Sequence, residues 1–370
     1  MNNKYIIFFM PFIGGGGVEK NLFIISNFIS KKINNVYICT SSIKYKKKFN
    51  REIKFLVPKQ KIIERLSLRI KYFTCLLILF KFLIKKRNTL VVSFQANIYC
   101  ILLCKILRVK IISRSNSSPS GWSHNFLKKY IYKTIINSAD EVITNSMEFK
   151  KEMNYNFNLR TTCIYNPLDS KNIKIKSYFK SKNYFGKTNK IKLLSIGRLT
   201  EQKDHLTLLR SAKLLKEKKI PFKMIIAGRG IERPNLQRFI MKHNLYNDVK
   251  IINFLDNPYP LIKQAELFIL SSKYEGLPNV LLESAVLKTP IISTDCPTGP
   301  KEILINGKGG YLFKIGDFKK LTEIILSFYK NKKKFTAKSY FLNNNLKRFD
   351  YKNNLQKYLR LIQKHYLKIR

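Results

Sequence analysis

Apolar residues fall in short unbroken runs, each followed by a stretch with helical spacing. The first run, Tyr5 to Ile13, leads into Gly14-Gly15-Gly16-Gly17-Val18-Glu19, after which Leu22, Ile25, Phe28 and Ile29 recur every three or four positions. A run without polar alternation marks a strand buried on both faces, and glycine at its end marks the turn into a helix. The unit repeats at Asn35–Thr40, Thr89–Phe94, Lys110–Arg114 and Glu141–Asn145, with helix-length segments between. Such alternation predicts βαβ units around a parallel sheet.

From Ser170 to Lys190 the chain turns polar and basic with little period, which predicts a linker over 170–190. A second series then begins, with strands expected at Lys192–Ile196, Lys223–Ala227, Val249–Asn253, Leu267–Leu270 and Pro290–Thr294. The pattern predicts an α/β chain of two doubly wound, Rossmann-like domains, 1–169 and 191–350, with a basic amphipathic helix over 351–370. No repeat of 20–50 residues is evident.

Charge adds a constraint. The 370 residues include 71 Lys+Arg against 22 Asp+Glu, a net charge of +49, while 45% hydrophobic residues suffice for a large core and exclude wholesale disorder. A field of that sign attracts nucleic acid, an anionic membrane face or phosphorylated small molecules. The excess is spread along the chain among Ile, Asn, Phe and Tyr, which share A/T-rich codons with Lys, so part of it is expected to be coding bias. The six cysteines show no zinc spacing, which predicts a reduced, cytosolic chain. No A-x-A-like site follows the first apolar run, and Tyr72–Phe80 is far shorter than the ~20 residues of a membrane span. Neither a signal peptide nor a transmembrane helix is expected. Residues Lys59 to Arg87 combine basic residues with a Leu/Ile/Phe face, compatible with a helix lying on an anionic membrane or with a core helix bearing solvated lysines.

Three segments carry candidate chemistry. The glycine turn at Gly14–Gly17 opens a helix whose N-terminal N–H groups suit an anion, although it is not G-x-G-x-x-G and serves equally as a packing device. In Ser195-Ile196-Gly197-Arg198-Leu199-Thr200-Glu201-Gln202-Lys203-Asp204, Arg198 and Lys203 flank a turn at a strand's carboxyl end, where open α/β sheets bind ligands and two cations suit a diphosphate. Between Ser271 and Ser284, Glu275 and Glu283 lie eight apart. Glu283 falls among Val280, Leu281, Leu282, Ala285 and Val286, where a carboxylate is costly unless it accepts hydrogen bonds, for instance from a ribose. The plain alternatives are a helix-entrance carboxylate and an exposed helical Glu.

With the turn ending in Glu19, the G-R-L-x-x-x-K segment at 197–203 and the E-G-x-P-x-x-x-x-E segment at 275–283, the chain resembles a family-4 retaining glycosyltransferase of the GT-B fold. Asn166-Pro167-Leu168-Asp169 and Pro297-Thr298-Gly299-Pro300-Lys301-Glu302-Ile303 extend the likeness over nearly the whole chain. The resemblance implies two domains facing a cleft, the first on the acceptor side and the second binding a nucleoside-diphosphate sugar, with the last helix crossing back to the first. It implies Arg198 and Lys203 on the diphosphate, Glu283 on the ribose and Glu275 on the donor sugar. Gly197, Gly276, Leu277 and Asn279 would line the donor site, and Gly16 and Gly17 would approach the phosphates. His124, with Glu19, Arg114, Asn116 and Asn166, are its first-domain candidates. It further implies transfer of a hexose or N-acetylhexosamine to a lipid-linked or oligosaccharide acceptor in bacterial surface-glycan synthesis, by a protein on the inner face of the plasma membrane. No D-x-D motif suggests a metal, and no cofactor is expected. A basic nucleic-acid-binding protein and a GT-B epimerase or phosphorylase are the rival readings. Against the first, no finger, RNP1 or basic zipper is present.

Overall fold

A computed structural model describes residues 4–60, 63, 66–116 and 126–369. The chain forms two compact units, Met1–Pro167 with Tyr351–Arg370, and Leu168–Asp350.

The first unit contains seven strands, β1 (Tyr5–Phe9), β2 (Val36–Cys39), β3 (Lys54–Leu56), β4 (Thr89–Ser93), β5 (Lys110–Arg114), β6 (Glu141–Thr144) and β7 (Thr162–Cys163). All pair in parallel, in the order β3-β2-β1-β4-β5-β6-β7. Every residue of β1 is buried, as its unbroken apolar run requires. The strand stops at Phe9 rather than Ile13, because Pro11 cannot donate to a ladder and the chain leaves the sheet there. The helices are α1 (Gly17–Ser30), α2 (Leu68–Lys85), α3 (Asn97–Ile106), α4 (Phe126–Asn137) and α5 (Met147–Phe157). Leu22, Ile25 and Ile29 of α1 cover one sheet face, and Cys75, Leu79 and Leu83 of α2 with Cys100 and Cys104 of α3 cover the other. No disulfide joins cysteines among the described residues, and burial pushes Cys39 and Cys100 well above the ordinary thiol range.

The second unit opens with α6 (Ser170–Ser177), and this corrects the linker expected over 170–190. Asp169 caps the helix by accepting from the Asn172 N–H at 3.0 Å, and Ile173 and Phe185 are buried. Its outward lysines hid a one-sided apolar contact too narrow to show a period. Six parallel strands follow, β8 (Ile191–Ile196), β9 (Phe222–Ala227), β10 (Val249–Ile252), β11 (Leu267–Leu270), β12 (Ile291–Thr294) and β13 (Tyr311–Phe313), ordered β10-β9-β8-β11-β12-β13. Around them lie α7 (His205–Glu217), α8 (Arg233–Lys242), α9 (Tyr259–Gln264), α10 (Asn279–Val286), α11 (Pro300–Ile303), α12 (Phe318–Lys330) and α13 (Lys332–Asn344).

The outgoing and returning segments run side by side, with the Leu168 N–H donating to the Phe349 carbonyl at 3.0 Å. The last helix, α14 (Tyr351–Leu367), then packs Leu355, Tyr358 and Ile362 into the first unit beside α1.

Candidate functional site

In the second unit, the loops after β8, β11 and β12 are bound to one another. The Lys273 N–H donates to the Gln202 carbonyl at 2.8 Å, and the Gln202 side-chain amide donates to the Tyr274 carbonyl at 2.9 Å. The Ser271 hydroxyl donates to the Lys203 carbonyl at 2.9 Å, and the Thr298 hydroxyl to the Glu275 carbonyl at 2.6 Å. These bonds gather Arg198, Lys203 and Glu275, placed by sequence on separate segments, at the carboxyl ends of adjacent strands, where a doubly wound sheet takes its ligand.

Lys203 and Glu275 meet directly in an ion pair, and the Ser272 hydroxyl donates to the same Glu275 oxygen at 2.6 Å. The pair is nearly buried, with side-chain exposures of 13% and 8%. The stem of Lys203 folds over Gly197. Arg198 points to solvent, and its guanidinium donates to the Gln202 side-chain oxygen at 3.3 Å. Gly276 and Leu277 are buried and Asn279 is the first residue of α10. Glu283 lies inside α10 and is 5% exposed, which removes the exposed-helix alternative for this carboxylate.

In the first unit the glycine turn is folded around a negative charge. The Gly14 N–H donates to the Glu19 carboxylate at 3.1 Å, and a Cβ on Gly16 would come within 2.9 Å of its other oxygen. A carboxylate at the start of α1 is favoured by the helix dipole. Arg114, Asn116 and Asn166 form one cluster: the Arg114 guanidinium donates to both asparagine side-chain oxygens, at 2.6 Å to Asn166. His124 lies outside the described residues.

Residues 178–354 match the family model described as glycosyl transferases group 1. The chain is 34% identical over 217 residues to an uncharacterized glycosyltransferase of Methanocaldococcus jannaschii, a match covering 55% of this chain and 53% of that protein. The second unit is thus similar to the group 1 glycosyltransferases, and the two parallel-sheet units have the GT-B fold. The chain is also 26% identical, over 65% of its own length and 69% of the relative's, to the Campylobacter jejuni N-acetylgalactosamine-N,N'-diacetylbacillosaminyl-diphospho-undecaprenol 4-alpha-N-acetylgalactosaminyltransferase. Its fold matches Anabaena HepE solved in complex with UDP-glucose, with a TM-score of 0.79 at 16% identity over 98% of this chain and all of the other.

Two parts of the site were missed in the sequence. A Cβ on Gly228 would sit 1.9 Å from the Gly197 carbonyl oxygen, and one on Gly230 would sit 2.0 Å from that of Leu199. These glycines let the loop after β9 lie backbone to backbone against the Arg198 loop; the A-G-R-G run at 227–230 was the available signal. His205, the first residue of α7, was the other. Burial, reinforced by the Lys203 charge, holds its imidazole down to about 4. The chain thus folds with His205 neutral, whereas the unfolded chain takes up that proton near the ordinary value of 6.5. Stability from this group is full above pH 6.5 and falls by about 3 kcal/mol as pH drops toward 4. Denaturant unfolding at stepped pH measures it, and His205→Leu is expected to flatten that part of the profile.

Proposed function

We propose that the protein is a family-4 retaining glycosyltransferase that moves a sugar from a nucleoside diphosphate to a hydroxyl of a lipid-linked or oligosaccharide acceptor. The observation that carries this reading is the convergence of Arg198 and Lys203 with Glu275, in tied loops at the strand ends of the second unit, next to the helix bearing buried Glu283. In this reading the two cations hold the diphosphate, Glu283 accepts hydroxyl hydrogen bonds from the ribose, and Glu275 accepts them from the sugar. Gly197, Gly276, Leu277 and Asn279 shape the pocket. Without donor, Lys203 is engaged by Glu275; when the diphosphate arrives, the ammonium turns to it and the carboxylate is released to the sugar hydroxyls.

As the anomeric C–O bond breaks, negative charge grows on the leaving diphosphate. Preorganised cations stabilise that charge more in the transition state than in the ground state, a role that needs no metal or cofactor. With departure and attack on the same face, a diphosphate oxygen takes the acceptor proton and the anomeric configuration is kept.

The acceptor side falls to the first unit. The relative from Campylobacter jejuni is named for a diphospho-undecaprenol substrate, and the relatives from Erwinia amylovora and Escherichia coli for amylovoran and O-antigen biosynthesis. We place this protein in bacterial surface-glycan synthesis on the cytoplasmic face of the membrane. Among the described residues no helix is long and apolar enough to cross a bilayer. One side of α2 packs in the core, while Phe73, Leu77, Phe80 and Ile84 line its outer side, 38–63% exposed, near Arg69, Lys81 and Lys85. Such a face suits an anionic bilayer.

A thermal-shift panel of UDP-, GDP- and ADP-sugars tests the donor reading. At 100 times its Kd the right donor adds about 2.7 kcal/mol of stability, and NMR of the product shows a retained anomer. No shift with any nucleotide, alongside a salt-dependent shift of a nucleic acid on a gel, rejects it. Binding to anionic vesicles is expected to weaken between 0.1 and 1 M salt, roughly the range over which the Debye length falls from 10 to 3 Å.

A further inference from the structure

Arg114 ends β5, and its side chain is among the largest that are fully buried. Among the described residues its partners are all neutral. Nε donates to the Tyr358 hydroxyl at 2.9 Å, Nη2 to the Asn166 side-chain oxygen at 2.6 Å and Nη1 to that of Asn116, while the Phe94 ring lies 5.1 Å from the guanidinium carbon. Among the described residues no carboxylate forms an ion pair with it. Burying a guanidinium without an anion is costly, and apolar side chains of similar volume often replace buried charges without loss of stability. Packing alone gives no reason for a charge here.

The origin of the three acceptors is informative. Asn116 lies two residues past β5, on the segment that leaves the strand's carboxyl end. Asn166 immediately precedes Pro167, the last residue before the chain leaves the first unit, and Tyr358 stands two turns into α14, where the chain has returned. One guanidinium therefore ties the exit segment, the returning helix and a strand-end loop together. Because it holds the Asn116 oxygen, the Asn116 amide is turned to donate to the Phe94 carbonyl at 2.7 Å, which also fixes the end of β4.

We propose that Arg114 is a positioning residue for sugar transfer, pinning the β5 strand-end loop and the returning helix α14 through Asn116, Asn166 and Tyr358. This rests on the glycosyltransferase reading above. Arg114 belongs to the first unit and the donor-binding candidates to the second, so its loss is expected to act on turnover rather than on nucleotide affinity. Tyr358 and Asn166 share the role, although Tyr358 stands 244 residues from Arg114.

The test uses the full chain with Arg114→Met, Arg114→Lys and Tyr358→Phe. In Arg114→Met, kcat is expected to fall at least tenfold with nucleoside-diphosphate Kd within twofold of wild type. Arg114→Lys, which keeps the charge but not the fork, recovers little. Tyr358→Phe loses about threefold, and Arg114→Met/Tyr358→Phe is no worse than Arg114→Met alone, because both break one assembly. Hydrogen exchange supplies a readout independent of substrate: amides at 113–116, 164–167 and 351–362 exchange faster in Arg114→Met while the β8–β11 sheet core is unchanged. Wild-type kcat in Arg114→Met, kcat and nucleotide affinity falling together, or unchanged exchange in those segments overturns the proposal. If wild-type protein transfers no sugar, the glycosyltransferase reading fails, and the exchange result still decides whether Arg114 pins these segments.

Discussion

Replacing Lys203 with alanine is expected to lower turnover about 10²–10³-fold, the scale for removing one preorganised electrostatic contact, and to lower stability as well. Arg198→Ala is expected to cost a similar factor in turnover with stability unchanged. The difference comes from burial. Lys203 compensates a Glu275 carboxylate that is 8% exposed, and removing one partner of a buried pair costs about 3 kcal/mol or more. The Arg198 guanidinium is exposed and donates to the Gln202 side chain, so the fold depends little on it. In the proposed site both variants weaken the hold on the same leaving group. Steady-state kinetics with denaturant unfolding of each variant separates the two effects; wild-type turnover in both removes the diphosphate assignment.

Glu283→Gln is expected to raise the donor Kd by about 10–100-fold with a smaller change in kcat. An ionised carboxylate accepting two ribose hydroxyls forms charge-assisted bonds worth about 1.5–3 kcal/mol each, and a neutral amide keeps the shape while weakening both. The ribose is remote from the bond that breaks, so the loss falls on ground state and transition state alike and leaves kcat largely intact. Titration calorimetry with the nucleoside diphosphate measures it. Wild type should discriminate against a donor lacking the ribose 2'-hydroxyl and the variant hardly at all; equal discrimination by both contradicts the ribose role.

The strands were legible because parallel sheets bury both faces, and Tyr5–Phe9 and Leu267–Leu270 have no polar residue to break the run. The edge strands β3, β7 and β13 escaped notice because two or three residues cannot display a pattern. Helix α6 was read as linker because lysines surround its single inward isoleucine. Within the site, Glu275 and Glu283 stood out as rare carboxylates in apolar company, and Arg198 and Lys203 by their place at a strand end. Their mutual arrangement was not legible: Lys203 and Glu275 pair across 72 residues, and the tight seat of the Arg198 loop depends on Gly228, one strand away. The burial of Arg114 was hidden for the same reason, since its Tyr358 partner arrives on a helix that follows the entire second unit.

In the proposed donor complex Arg198, Lys203 and Glu283 hold the nucleoside diphosphate. A crystal structure with the donor selected by the thermal-shift panel tests it most directly. Diphosphate oxygens within about 3 Å of the Arg198 guanidinium and the Lys203 ammonium, with ribose hydroxyls on Glu283 and the Lys203–Glu275 pair opened, are the result expected. A donor bound elsewhere, with that pair still closed and Glu283 facing no ligand, would contradict it.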